Sequence, residues 1–115
     1  MVKIKFLYKP TCTSCRKAKT LLEQKRVEME LRDLAKERLS ATELDQLIGD
    51  RDYRKFLNPR NELYRKRQMG KTPPSRAEAL KLMAAEPNLI RRPVVQRGRE
   101  IVLGYDEAAL TRLVK

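Results

Sequence analysis

Two cysteines, Cys12 and Cys15, lie between an alternating apolar run and a helical pattern. Val2, Ile4 and Phe6 alternate with Lys3 and Lys5, and Leu7 and Tyr8 close the run. This predicts a β-strand over 2–8. Lys9-Pro10-Thr11 breaks it. From Thr13 the period becomes that of a helix, with Cys15, Ala18, Leu21 and Leu22 on one face. Val27, Met29 and Leu31 then alternate with Glu28, Glu30 and Arg32, which predicts a second strand. Strand, helix and strand in such quick succession make a βαβ unit, so the two strands are expected to be parallel.

The middle of the chain reads as helices. Ser40-Ala41-Thr42-Glu43 is a capping box opening a helix through about Ile48 and ending near Gly49. Tyr53–Arg67 predicts one or two short helices interrupted by Pro59, and Lys71-Thr72-Pro73-Pro74 is a break. Ser75-Arg76-Ala77-Glu78 is a second capping box, for a helix through about Ala85. Pro93-Val94-Val95 and Ile101-Val102-Leu103 are β-type runs joined by Arg97-Gly98-Arg99, a hairpin signal. Asp106 caps a last helix whose inner face is Ala109, Leu110, Leu113 and Val114. At 115 residues one domain is expected. Its α/β core covers about 1–35 and 88–115, with an all-helical insertion over about 36–87. Without the insertion, the order βαβ then ββα leaves a four-stranded mixed sheet covered by helices.

A Cys-x-x-Cys at a strand-to-helix junction is the redox arrangement of thioredoxin-like folds. Cys12 stands where main-chain N–H groups and the helix dipole favour an anion. Thr13 and Ser14, which open the helix, are therefore candidate anion-binding residues. Two other readings compete: half of a zinc site, and a buried pair without chemistry. The chain has no histidine and no third cysteine, so zinc would need a carboxylate shell unusual for structural sites, and no metal is expected. Thr13, Ser14, Arg16 and Lys17 make the neighbourhood polar and cationic, which weighs against an inert pair.

Lysine and arginine total 27 against 15 acidic residues, a net charge of +12, so anionic partners are expected. The excess concentrates in Arg51–Arg67, with seven basic residues to two acidic ones and Tyr53, Phe56 and Tyr64 interleaved. Such a segment could track a nucleic-acid backbone. No recognised nucleic-acid module accompanies it, so direct nucleic-acid binding is not expected. No leader pattern precedes the first strand and no apolar run has membrane-spanning length. A soluble, cytoplasmic location without membrane contact is expected, where reducing conditions favour a catalytic or sensing role for the cysteines.

Tyr8-Lys9-Pro10-Thr11-Cys12-Thr13-Ser14-Cys15-Arg16-Lys17-Ala18 resembles the active-site stretch of the arsenate reductase/Spx family. Leu89-Ile90-Arg91-Arg92-Pro93-Val94-Val95 resembles that family's second signature, and Gly104-Tyr105-Asp106-Glu107 is similar to its Spx side. The resemblance implies a thioredoxin-like fold with a cis-proline at Pro93. It implies Cys12 as the nucleophile, Cys15 as the resolving thiol of a Cys12–Cys15 disulfide, and Arg92 and Arg60 as anion-holding arginines. No bound cofactor is implied; glutathione or thioredoxin is the external reductant, and the substrate is a small oxyanion or a protein disulfide. The alternative it implies is a redox-sensing regulator that binds the C-terminal domain of the RNA polymerase α subunit. Tyr8 and Tyr105 read as packing residues and Arg91 as solvated.

Three positions depart from the family patterns, the first being Cys15, where the reductases usually lack a cysteine. Where the reductases carry a further arginine after the fourth strand, this chain reads Gly104-Tyr105; where the regulators carry a polymerase-contacting glycine, it reads Asp52. Losing one charge-assisted contact of about 1.5–3 kcal/mol weakens transition-state binding roughly ten- to a hundredfold. Steady-state assays with glutathione, glutaredoxin and arsenate are therefore expected to show weak or absent turnover, lower by at least that factor than a three-arginine family member. Equal turnover would refute the argument.

Overall fold

The computed structural model describes residues 3–115. Val2, placed in the first strand by the sequence pattern, lies outside the described residues. The chain divides into two compact units: residues up to Glu37 together with Arg92–Lys115, and Arg38–Arg91.

The first unit is built on β1 (Ile4–Tyr8), whose alternation buries Ile4 and Phe6 and exposes Lys5. Helix α1 (Thr13–Gln24) follows, with Cys15, Ala18 and Leu22 buried. Strand β2 (Met29–Asp33) lies parallel to β1, with Ile4 opposite Met29 and Tyr8 opposite Asp33. It starts two residues later than the apolar alternation predicts, because Arg26 adopts φ 58° and Val27 N–H donates to Leu22 O. Val27 and Met29 still pack against the core, but Leu31 is 44% exposed on the edge strand.

Strand β3 (Val94–Arg97) runs antiparallel to β1, with Leu7 opposite Val94 and Lys5 opposite Gln96. Strand β4 (Glu100–Leu103) pairs antiparallel with β3, completing a four-stranded mixed sheet of order β2-β1-β3-β4. Gly98 turns the hairpin at φ 59°, a left-handed conformation that glycine adopts without steric cost. Helix α5 (Glu107–Leu113) starts where Asp106 Oδ1 accepts from Ala109 N–H at 3.0 Å. Leu110 and Leu113 join Ile4, Phe6, Ala18, Leu22 and Val95 in one cluster, so α1 and α5 share a face of the sheet. Arg97 Nη1 donates to Leu113 O at 2.9 Å and to Lys115 O at 3.1 Å, satisfying carbonyls at the end of α5. This is the α/β, thioredoxin-like sheet expected from the sequence, with its all-helical segment between β2 and β3.

In the second unit the capping box of α2 (Ala41–Ile48) is complete. Ser40 Oγ accepts from Glu43 N–H at 3.0 Å, and Glu43 Oε1 accepts from Ser40 N–H at 3.1 Å. Gly49, at φ 53°, ends the helix. A 3-10 turn (Tyr53–Phe56) and α3 (Glu62–Lys66) flank Pro59. Helix α4 (Arg76–Ala85) packs on α2. Only the serine half of its capping box forms: Ser75 Oγ accepts from Glu78 N–H, while the Glu78 carboxylate pairs with Arg67 at 3.1 Å.

Leu22 is fully buried and Leu31 largely exposed. Leu22→Ala should destabilise the protein by about 2–5 kcal/mol, whereas Leu31→Ala should stay within about 0.5 kcal/mol. Urea denaturation of both variants checks this contrast.

Candidate redox site

β1 delivers the chain to the site. After Tyr8 it turns, and Cys12 N–H donates to Lys9 O at 3.1 Å. Cys12 then occupies the N-cap of α1 with extended backbone (φ −83°, ψ 121°), and its side chain makes no capping hydrogen bond. The first intrahelical bond runs from Arg16 N–H to Cys12 O at 3.0 Å. The other helices α2, α3, α4 and α5 each carry a glutamate in the first turn, which complements the positive end of the dipole. Helix α1 carries no acidic residue there. Cys12 stands at its N-cap.

The two thiols are free and unequal: Cys12 is half-buried, while Cys15 is 1% exposed. Burial pushes the Cys15 thiol up from 9.0 to about 12; a hydrogen bond from the Lys9 main chain and the Arg92 charge oppose that rise, and the hydrogen bond and charge of Cys12 add to it. Cys15 is therefore a neutral thiol at neutral pH, in hydrogen-bond contact with Cys12.

Arg92 is half-buried, with Nε enclosed, and its charge reaches Cys15. The Arg92–Pro93 peptide is cis, and the buried Pro93 accepts from Gly104 N–H at 2.9 Å. Arg91, one residue earlier, is exposed. Thr13 is exposed and Ser14 half-buried at the first two positions of α1. Of the residues singled out in the sequence, Cys12, Cys15, Thr13, Ser14, Arg92 and Pro93 thus belong to one unit. Arg60 belongs to the helical unit, exposed, with its N–H donating to Asn58 Oδ1 at 3.1 Å.

Lys9 was not legible as a site residue, because it contributes through its main chain and side-chain identity carries no signal for that. Tyr8 packs against the core as expected. Tyr105 does not: it is 39% exposed, with the Lys17 ammonium 6.0 Å from its ring centroid. The turn through Gly104 that follows β4 carries it outward. Among the described residues no group of three or more histidine, cysteine, aspartate or glutamate side chains could hold a metal ion. No described helix is long and apolar enough to cross a membrane.

The β2-β1-β3-β4 mixed sheet, with Cys12 and Cys15 at the head of its first helix, defines a thioredoxin-like fold. The model of the ArsC family matches residues 7–113, and the chain belongs to that family. It is similar to the global transcriptional regulator Spx 2 of Lactococcus lactis subsp. lactis (strain IL1403), at 30% identity over 100 residues, covering 85% of this chain and 76% of the relative. A crystal structure described as a possible arsenate reductase from Streptococcus mutans UA159 superposes with a TM-score of 0.76 at 26% identity, covering 91% of this chain and 92% of that one. A glutaredoxin from Archaeoglobus fulgidus shares the fold, with a TM-score of 0.51 at 20% identity over 100% of this chain and 88% of its own.

Alkylation mapped by mass spectrometry should label Cys12 first at neutral pH. Labelling of Cys15 in the folded protein should rise only as the pH climbs from 9.0 towards 12, since the thiolate is the reactive form. Cys15 labelling first would overturn the assignment.

Proposed function

We propose that this protein is a cytoplasmic thiol–disulfide redox protein, reductase-like, in which Cys12 attacks and Cys15 resolves. The observation that carries this reading is the inequality of two sulfurs in hydrogen-bond contact. Cys12, at an uncapped helix N-terminus, is the accessible nucleophile, and Cys15 holds its proton behind it. Thiolate attack by Cys12 on a disulfide forms a mixed disulfide and expels one thiolate of the substrate. Cys15 then attacks the Cys12 sulfur, its proton passing to a departing thiolate, and a Cys12–Cys15 disulfide remains. Two electrons have moved from the protein to the substrate, and glutathione or thioredoxin returns them. Arg92 stabilises negative charge at the sulfurs. For a small oxyanion substrate, Thr13 and Ser14 at the head of α1 supply donors, and Arg60 is assigned the same role on the family resemblance. The helical unit is read as an insertion within one domain.

Mild oxidation with peroxide should yield monomer lighter by two hydrogen atoms, and Cys12→Ser should abolish this. Predominant sulfinic acid on Cys12 with Cys15 free would refute the resolving role. Arg92→Ala should slow the exchange by the equivalent of about 1.5–3 kcal/mol, while Arg91→Ala, at an exposed position, should change it little. Stopped-flow rates for the two variants decide this, and equal effects would sink the role of Arg92.

The similarity to Spx 2 supports a second reading, a redox-sensing transcriptional regulator. Its test is capture of the purified C-terminal domain of the RNA polymerase α subunit by oxidised and by reduced protein. Binding that depends on oxidation, without reductase turnover, would make the regulator reading the right one.

A further inference from the structure

The outer surface of α1 carries a groove of about 400 Å³, lined by Arg16, Lys17, Thr20 and Leu21 together with Tyr105 and Glu107. Gln24 closes its far end. Residues four apart share a helix face, so Arg16, Thr20 and Gln24 continue the line that starts at Cys12. The groove therefore begins at Arg16, one helical turn on from Cys12. From Arg16 to Gln24 it runs about 12 Å at the helical rise, room for about three or four extended residues.

Its chemistry changes along its length. Nearest Cys12, Arg16 Nε donates to Pro10 O at 2.9 Å, which holds the guanidinium beside the cysteine turn. Lys17 stands over the Tyr105 ring at 6.0 Å. The 39%-exposed Tyr105 beside Lys17, and Leu21 one turn further along the helix, offer apolar surface. Glu107 is the one carboxylate in the lining.

We propose that this groove docks the extended segment flanking the reacting cysteine of a partner protein. It selects segments with carboxylates next to that cysteine, against Arg16 and Lys17, and an apolar side chain two or three residues further on, against Leu21 and Tyr105. The assignment rests on the redox reading above and names its partner class: a protein disulfide in an acidic segment. The attack of Cys12 breaks the partner's S–S bond while the groove holds the segment in place.

The test uses cysteine heptapeptides as mixed disulfides with 5-thio-2-nitrobenzoate, so that attack by Cys12 on the peptide sulfur releases the chromophore. Acidic, neutral and basic peptides, each with and without a distal leucine, are compared with the glutathione mixed disulfide. The acidic peptide is expected to react about tenfold faster than the basic one, a margin within the range of local electrostatic attraction, and to lose most of it at high salt. Lys17→Glu should bring the acidic-to-basic ratio to unity or below. Tyr105→Ala should erase the gain from the distal leucine. Arg99→Glu makes the same change in net charge in the hairpin turn, at the other end of the sheet from Cys12, and should leave the ratio within about twofold.

A ratio unmoved by Lys17→Glu, or moved as much by Arg99→Glu, would overturn the groove in favour of whole-molecule attraction. A glutathione mixed disulfide as fast as the acidic leucine peptide would overturn the protein-segment assignment. Release from none of the peptides would instead refute the redox reading itself.

Discussion

The buried stripe of α1 is the constraint on which the site depends. Ala18 and Leu22 lock the helix against Ile4, Phe6 and Val95 of the sheet. Cys15 continues that stripe by one turn and is held at 1% exposure. Because Cys12 precedes it by three residues, at the first non-helical position, its sulfur is set at the rim. Packing thus decides which cysteine is accessible and which keeps its proton. A change that loosened the stripe would alter the chemistry without touching a sulfur.

The charge of the chain is put to several uses. Within the basic run Arg51–Arg67, Arg54 pairs with Asp52 at 3.0 Å, Lys66 with Glu62 at 3.0 Å, and Arg67 with Glu78 at 3.1 Å. Arg51 donates to carbonyls at the end of α2. Such exposed pairs are screened by solvent and contribute little to stability. They nonetheless break the run into paired and unpaired stretches, so it is less a continuous cationic track than its composition suggests. In the sheet-bearing unit Arg97 is spent on the end of α5, while Arg16, Lys17 and Arg92 gather around the thiols and the groove beside them.

Most elements could be read from local signals. The capping box at Ser40, the break at Pro59, the glycine of the hairpin and the Asp106 cap each act over three or four residues, and each stands where its residues point. The exceptions had causes that period and capping do not carry. Glu78 left its capping box for Arg67, a residue eleven positions away. Val27 fell before β2, because the left-handed Arg26 delays the strand.

The sequence by itself determined the βαβ start, the helical segment, the hairpin and the place of the Cys-x-x-Cys at a strand-to-helix junction, since period and capping are local properties of the chain. Only the tertiary structure decided that Cys15 is enclosed with its thiol raised to about 12, that the charge of Arg92 reaches it from far along the chain, and that Tyr105 faces outward beside Lys17. Burial and long-range charge depend on which distant segments come together, and neither is written in the spacing of residues along the sequence.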